Sequence, residues 1–204
     1  LGADSLFEIA KSLRGTAYVY GTPRQLLISD VICAVVKKRF HNSVWKSLPD
    51  YTGVTADQWS YAIKKETFIQ ELWPAQHLLG IHGVFNGKSA VVQMPTSAGK
   101  TRSTEIIIRS AFLSGRSSMA VVVAPFRALC HEIRNSLFDA FLNEDVDIDA
   151  PSDVFQEDFS IAELINLEAR NLILVITPEK LLYMLRHAPE LAGSIGLLIY
   201  DEGH

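Results

Sequence analysis

Hydrophobic patterning divides the chain into two textures. Up to about residue 70 the apolar positions recur at helical spacing. Ser5 stands where it caps a short helix through Leu13, and Thr22 with Pro23 places a cap and a first-turn proline ahead of an apolar run. That run, Leu26, Leu27, Ile28, Val31, Ile32, Val35 and Val36, predicts a largely buried helix. Thr55 with Gln58 forms a capping-box pattern ahead of a helix bearing Trp59, Tyr61 and Ile63, while Leu48 to Gly53 reads as a turn. Residues 1–70 are therefore expected to be an all-helical accessory region, and nothing in them names a chemistry.

The pattern changes after Trp73 and Pro74. Ser89 to Met94, Met119 to Ala124, Leu172 to Ile176 and Leu197 to Tyr200 are short runs rich in Val, Ile and Leu, as expected of strands covered on both faces. Helical periodicity fills the gaps at Thr101 to Leu113, Arg127 to Phe141, Ile161 to Leu167 and Pro178 to Arg186. Such alternation predicts an α/β fold over 71–204, with a parallel sheet and right-handed crossovers. Function in that architecture belongs at the carboxyl ends of the strands.

Composition narrows the class. A chain of 204 residues, 48% hydrophobic and 21% charged, has material for about one domain and an appendage. Cys33 and Cys130, each beside an aliphatic residue, read as buried small hydrophobes and suggest neither a disulfide framework nor a metal site. No apolar stretch is long enough to span a bilayer, so no membrane partner is expected and a cytoplasmic location is. Net charge of −4 argues against a generally basic, nucleic-acid-coating domain, but leaves room for backbone binding by loops and helix ends.

Chemistry is concentrated in two loops. Pro95, Thr96, Ser97, Ala98, Gly99, Lys100 and Thr101 lie between a predicted strand and a predicted helix. Backbone N–H groups in such a loop converge on phosphate oxygens, helped by the helix N-terminus, so the segment reads as a P-loop. Gly99 lets the backbone approach the phosphates, Lys100 reaches the β and γ phosphates, and the Thr101 hydroxyl ligates Mg²⁺. Met94 stands where the usual pattern has its first glycine. The Gly-Lys-Thr triplet alone arises by chance in roughly one chain in ten of this size, so its strand-to-helix setting carries the weight. The second loop follows Leu197 to Tyr200, a buried strand delivering Asp201 and Glu202 at its tip, which is costly unless a cation is near. Asp201 is placed to hold Mg²⁺ and Glu202 to orient and deprotonate the water attacking the γ-phosphate.

Together these residues resemble superfamily 2 DExH-box helicases, in particular the branch of the Ski helicases and archaeal fork-remodelling helicases, over roughly 68–204. Leu72, Trp73, Pro74, Ala75 and Gln76 are similar to its Q motif, in which the glutamine reads the adenine edge. Pro95 to Thr101 matches its form of motif I, which lessens the weight of Met94 as a departure. Pro125, Phe126, Arg127, Ala128 and Leu129 resemble motif Ia, and Thr177, Pro178, Glu179, Lys180 and Leu181 resemble motif Ib. In the family both touch the sugar-phosphate backbone of one strand, a role suited to the Arg127 fork and to the helix opened by Thr177. Asp201, Glu202 and His204 match motif II, with His204 coupling the ATP site to nucleic-acid binding. The resemblance implies a RecA-like lobe, ATP and Mg²⁺ as cofactors, and a single-stranded or duplex nucleic acid as partner, DNA in preference to RNA.

The chain departs from the family between motifs Ia and Ib. Pro151 and Ser152 replace the small residues of a Thr-Gly-Asp-like turn, and Glu144 to Asp158 carries seven acids and no base, which reads as a solvated loop. His131 and Glu132 lack a second imidazole at Asn135, so no zinc-protease motif is present. His77 and His82 do not share a helix face. The chain ends at His204, before any Ser-Ala-Thr motif and before a second RecA-like lobe with its arginine fingers. The lobe is therefore expected to be incomplete, and this piece alone inactive. A P-loop kinase shares motif I; a GTPase needs an Asn-Lys-x-Asp run that is not found. A degenerate lobe serving as an interaction module is the non-enzymatic alternative. The helical region with Trp45, Trp59 and Tyr61 resembles large bacterial helicases of antiviral defence systems, of HamB type, which implies a further protein subunit as partner.

Overall fold

The structure is a computed structural model that describes residues 3–95, 98–149 and 171–202. The first part is helical. An α-hairpin of α1 (Ala3–Tyr20) and α2 (Pro23–Asn42) leads into α3 (Val44–Thr52), α4 (Ala56–Ile63) and α5 (Pro74–Ile81). Both expected caps form: Thr22 and Thr55 each accept the backbone N–H of the glutamine three residues on, and that glutamine side chain accepts from the cap N–H in return.

Three local expectations give way to tertiary context. Ser5 lies inside α1 rather than at its start, because the helix already begins at Ala3, and it runs on past Leu13 to Tyr20. Leu48 to Thr52 is helical despite Pro49, since Val44 and Leu48 are fully buried on one face of α3, and the turn is confined to Gly53, whose positive φ closes the helix. The apolar face of α2 is exposed, Leu27, Ile28 and Val31 included, because α1 is the main element packed against it. Cys33 is half-buried there with its thiol on the Ala10 carbonyl, and Cys130 is buried; both are free thiols.

The second part is an α/β unit. After α6 (Lys100–Leu113) come β1 (Met119–Val123), α7 (Arg127–Phe141), β2 (Val146–Asp149), β3 (Asn171–Ile176), α8 (Pro178–His187), a short α9 (Leu191–Ser194) and β4 (Leu197–Tyr200). The sheet is all parallel in the order β2-β3-β1-β4. This is the expected RecA-like α/β architecture preceded by helices. Alternate residues of the central strands serve opposite layers. Ala120, Val122, Ile173 and Val175 pack with Leu137 and Phe141 of α7, whereas Val121, Val123, Leu174 and Ile176 pack with Met184 and Leu191. The predicted helix at Ile161 to Leu167 and the departure at Ser152 lie outside the described residues.

Three corrections concern the sheet. Leu197–Tyr200 is an edge strand rather than a buried one, with Leu198 56% and Tyr200 53% exposed, because β1 pairs with it on one side and no described strand lies on the other. Ser89 to Met94 is not one of the sheet's strands: no described strand lies beside it, and Val91 is 104% exposed. A strand exists only through a neighbour's hydrogen bonds, and its apolar composition does not supply them. Conversely, Val146–Asp149 pairs with β3 as an edge strand inside the run expected to be a solvated loop. Glu144, at the head of that run, is not solvated either. Its carboxylate accepts from Arg109 Nη1 at 2.7 and 2.5 Å and from the Lys65 ammonium.

That ion cluster sits where the two parts share a core. Trp59, Ile63, Leu72 and Phe85 are buried together with Ile106 of α6. Above them Arg109 also donates to Glu105 Oε1 at 3.0 Å and to the Ala140 carbonyl at 2.7 Å, with its guanidinium over the Phe141 ring at 4.1 Å. Lys65 adds the Leu142 carbonyl at 2.7 Å, and the Tyr61 hydroxyl donates to the Asn143 carbonyl at 2.9 Å. The helix that carries Lys100 at its start is thereby held to the helical region on one side and to α7 on the other. Among the described residues no helix is long and apolar enough to cross a membrane.

Candidate active site

Register explains why the motif residues meet. Val123 of β1 pairs with Ile176 of β3 and with Tyr200 of β4, so the three strands end in one row. The residues that follow, Ala124, Thr177 and Asp201, leave the sheet along a single carboxyl edge. Backbone bonds continue the row by one step: Asp201 N–H donates to the Val123 carbonyl at 2.8 Å, and Ala124 N–H to the Ile176 carbonyl at 3.1 Å. Pro125, Arg127, Thr177, Asp201 and Glu202 are thus brought to one rim, the one expected to carry function in such a sheet.

Lys100 reaches the same rim. Its ammonium donates to Glu202 Oε1 at 3.4 Å, both side chains being half-buried. Glu202 has φ +53, a left-handed conformation that costs a non-glycine residue about 1–2 kcal/mol. Its N–H donates to Asp201 Oδ1 at 3.1 Å, which ties the two carboxylates into one turn. Backbone strain of this kind collects at sites whose geometry the surroundings impose.

The loop before α6 is built around Gly99. With φ +89 it caps α6 in a conformation open to glycine, and its carbonyl accepts from Ser103 N–H at 2.9 Å, Ser103 Oγ at 3.0 Å and Gln76 Nε2 at 3.4 Å. A Cβ on Gly99 would lie 2.9 Å from Gln76 Nε2. Ala98 N–H closes the turn onto the Pro95 carbonyl at 3.2 Å, and Thr101 is exposed in the first turn of α6. Thr96 and Ser97 lie outside the described residues, as does His204.

Gln76 occupies a position that its sequence motif does not reveal. It is 2% exposed, its Oε1 accepts the Trp73 N–H at 2.9 Å, and its Nε2 faces Gly99. Both ends of the amide are therefore engaged with backbone, joining α5 to the P-loop. At the other end of the rim, Thr177 caps α8 while its hydroxyl bonds the Glu179 carboxylate, which also takes its own N–H. These two bonds hold the Glu179 carboxyl below its usual range and occupy donors at that helix start.

The donor set fits a magnesium nucleotide. Among the described residues there is no group of three or more His, Cys, Asp or Glu able to cage a metal by itself. Mg²⁺ is commonly held by one or two protein oxygens together with substrate phosphates, and Thr101 and Asp201 are the residues that could supply them here. The remaining signal that sequence reasoning missed is Glu144, whose partners lie far away in the chain.

Comparison with known proteins agrees with this geometry. The family model described as DEAD/DEAH box helicase matches residues 74–204. The chain is similar to the Hachiman protein HamB of Bacillus cereus, 24% identical over 98% of this chain and 18% of that protein. It is also similar to the ATP-dependent DNA helicase Hel308 of Pyrobaculum calidifontis, 30% identical over 70% of this chain and 19% of that protein. To Hel308 of Thermococcus kodakarensis it is 31% identical over 69% of this chain and 12% of that one. The chain thus spans less than a fifth of the length of these curated relatives. A parallel RecA-like sheet, a P-loop lysine facing the Asp-Glu turn and the matched family model lead to one conclusion: the chain belongs to the DEAD/DEAH box helicase family.

Proposed function

We propose that the protein containing this chain is an ATP-dependent nucleic-acid helicase or translocase, with 71–204 as its first RecA-like lobe and 1–70 as a helical accessory region. The observation that carries the reading is the approach of Lys100 to Glu202 across 102 residues of sequence, at 3.4 Å. A triphosphate entering there meets the Lys100 ammonium, the backbone of Ala98 and Gly99, and the start of α6. Thr101 and Asp201 would hold Mg²⁺, whose charge would offset that of the phosphates. Glu202 orients the attacking water and takes its proton at a carboxylate oxygen. Gln76, expected to read the adenine edge, is instead buried with both ends of its amide on backbone, so its part is to brace the P-loop at the Gly99 carbonyl.

Arg127 and the Pro125 turn, on the same rim, contact the backbone of a strand, and His204 couples that strand to the ATP site. Such contacts position without reading sequence. The similarity to the DNA helicase Hel308 favours DNA over RNA, and the resemblance of the helical region to antiviral-defence helicases favours a role in defence alongside a further subunit.

The test is ATPase turnover by the full-length protein with single-stranded DNA, duplex DNA and RNA over a salt series. Stimulation that falls steeply with salt reports phosphate contacts, and Lys100→Ala should abolish turnover. Equal turnover by wild type and Lys100→Ala refutes the site. Flat ATPase with every nucleic acid restores the interaction-module reading.

A further inference from the structure

Beside Glu202 the rim opens into a cleft of about 630 Å³. Its described lining is Pro125, Phe126, Ala128, Leu129, Glu132 and Glu202, with no P-loop residue among them. The volume is in the range of small-ligand sites, ample for one nucleotide unit. Phe126 dominates it. It sits at the carboxyl end of β1, holds extended backbone as the residue before α7, and is 70% exposed.

We infer that Phe126 is a base-stacking platform, which takes the face of one nucleobase of the bound strand while the phosphates stay outside the cleft. This rests on the helicase reading above, and it adds a base contact to a rim otherwise expected to touch only sugar and phosphate. Charge decides the orientation. The two ionisable groups in the described lining are both carboxylates, Glu132 and Glu202, so a phosphate inside would face like charge. A nucleobase carries no such penalty, and its π face matches the apolar floor of Pro125, Phe126, Ala128 and Leu129. The carboxylates can also accept from exocyclic amino groups of a base. Arg127, the next residue and exposed at the start of α7, is the neighbouring cation for the phosphate. Stacking tolerates any base, so the contact grips a strand without selecting its sequence. Because Glu202 belongs both to this cleft and to the Lys100 pair, a base on Phe126 lies next to the group that handles the attacking water.

The experiment uses full-length protein and fluorescence anisotropy with a labelled single-stranded oligonucleotide, either normal or carrying a run of abasic sites. Phe126→Ala should weaken binding of the normal strand roughly 5- to 150-fold, the range for losing one stacked base. Phe126→Trp should bind within a few-fold of wild type, and on the abasic strand wild type and Phe126→Ala should bind alike. Binding of a fluorescent ATP analogue, unchanged in Phe126→Ala, shows an intact fold. Equal affinity of wild type and Phe126→Ala for the normal strand overturns the inference, as does an equal loss on normal and abasic strands. Failure of the helicase reading looks different: wild type itself then neither binds the normal strand nor is stimulated by it.

Discussion

Glu144→Gln is the most informative single perturbation of the fold. It keeps the shape of the side chain and removes its charge from between two cations. Arg109 is 2% exposed and Glu144 15%, so neither is screened as a surface pair would be. Breaking a buried pair by neutralising one partner costs about 3–5 kcal/mol when the other charge is left alone. Arg109 is not left alone. It keeps Glu105 at 3.0 Å, the Ala140 carbonyl at 2.7 Å and the Phe141 ring, while Lys65 keeps two carbonyls. The expected loss is therefore below that range, about 2 kcal/mol. For a chain of this size that lowers the melting temperature by about 4–8 °C. The assay is urea and thermal denaturation of the wild-type and variant chains. A double-mutant cycle with Arg109→Met sharpens it. If the two groups interact directly, Arg109→Met with Glu144→Leu should cost less than the sum of the single changes, because the double change leaves no stranded charge at that contact. Additive costs, or a Glu144→Gln effect within about 0.5 kcal/mol of zero, would show that the pair behaves as a solvated one and refute the reasoning.

Other outcomes follow from the same contacts. Acid should destabilise the helical region through His77, whose pKa is lowered by burial and then by the stacked His41. Asn42 Oδ1 only accepts, so Nε2 carries the proton and Nδ1 takes the Tyr51 hydroxyl, which leaves no room for a second proton without rearrangement. The unfolded chain binds that proton more readily, so the contribution is complete above the unfolded value near 6.5 and is lost as pH falls below it toward the folded value. His77→Gln should flatten this limb in denaturation midpoints measured from pH 7.5 down to about 5; an unchanged slope there would exclude His77 as its source. Gly99→Ala places a Cβ 2.9 Å from Gln76 Nε2 at a φ of +89. It should weaken ATP-analogue binding at least about tenfold by displacing the loop, and the αL strain with the displaced buried amide, about 2 kcal/mol or more together, should lower the melting temperature by about 4 °C or more. Wild-type affinity in a fluorescence titration would show that the loop relaxes freely.

Local chemistry made a large part of the molecule legible. The alternation of apolar runs and helical periods identified β1, β3, β4, α6, α7 and α8. β1 and β3 are covered on both faces and so must be apolar throughout. Thr22 and Thr55 were readable as caps because the reciprocal bonds to Gln25 and Gln58 span three residues and need no distant partner. Asp201 and Glu202 were readable as the tip of a strand on the carboxyl rim of a parallel sheet, whereas the run before Lys100 is not a strand of that sheet, so the 3.4 Å approach of Lys100 to Glu202 was settled by the packing of α6.

What only the tertiary structure decided depends on who the neighbours are. Ser89 to Met94 has the composition of a buried strand and no strand beside it, while Val146–Asp149, among acids, becomes one because β3 offers an open edge. The apolar face of α2 stands exposed and Pro49 sits inside a helix, both settled by what packs against them. Glu144 reads as a solvated acid until Arg109 and Lys65 are folded onto it from 35 and 79 residues away. Side-chain pattern records what a residue prefers, whereas burial, strand pairing and ion partnership are properties of pairs distant in sequence, and folding alone brings those pairs together.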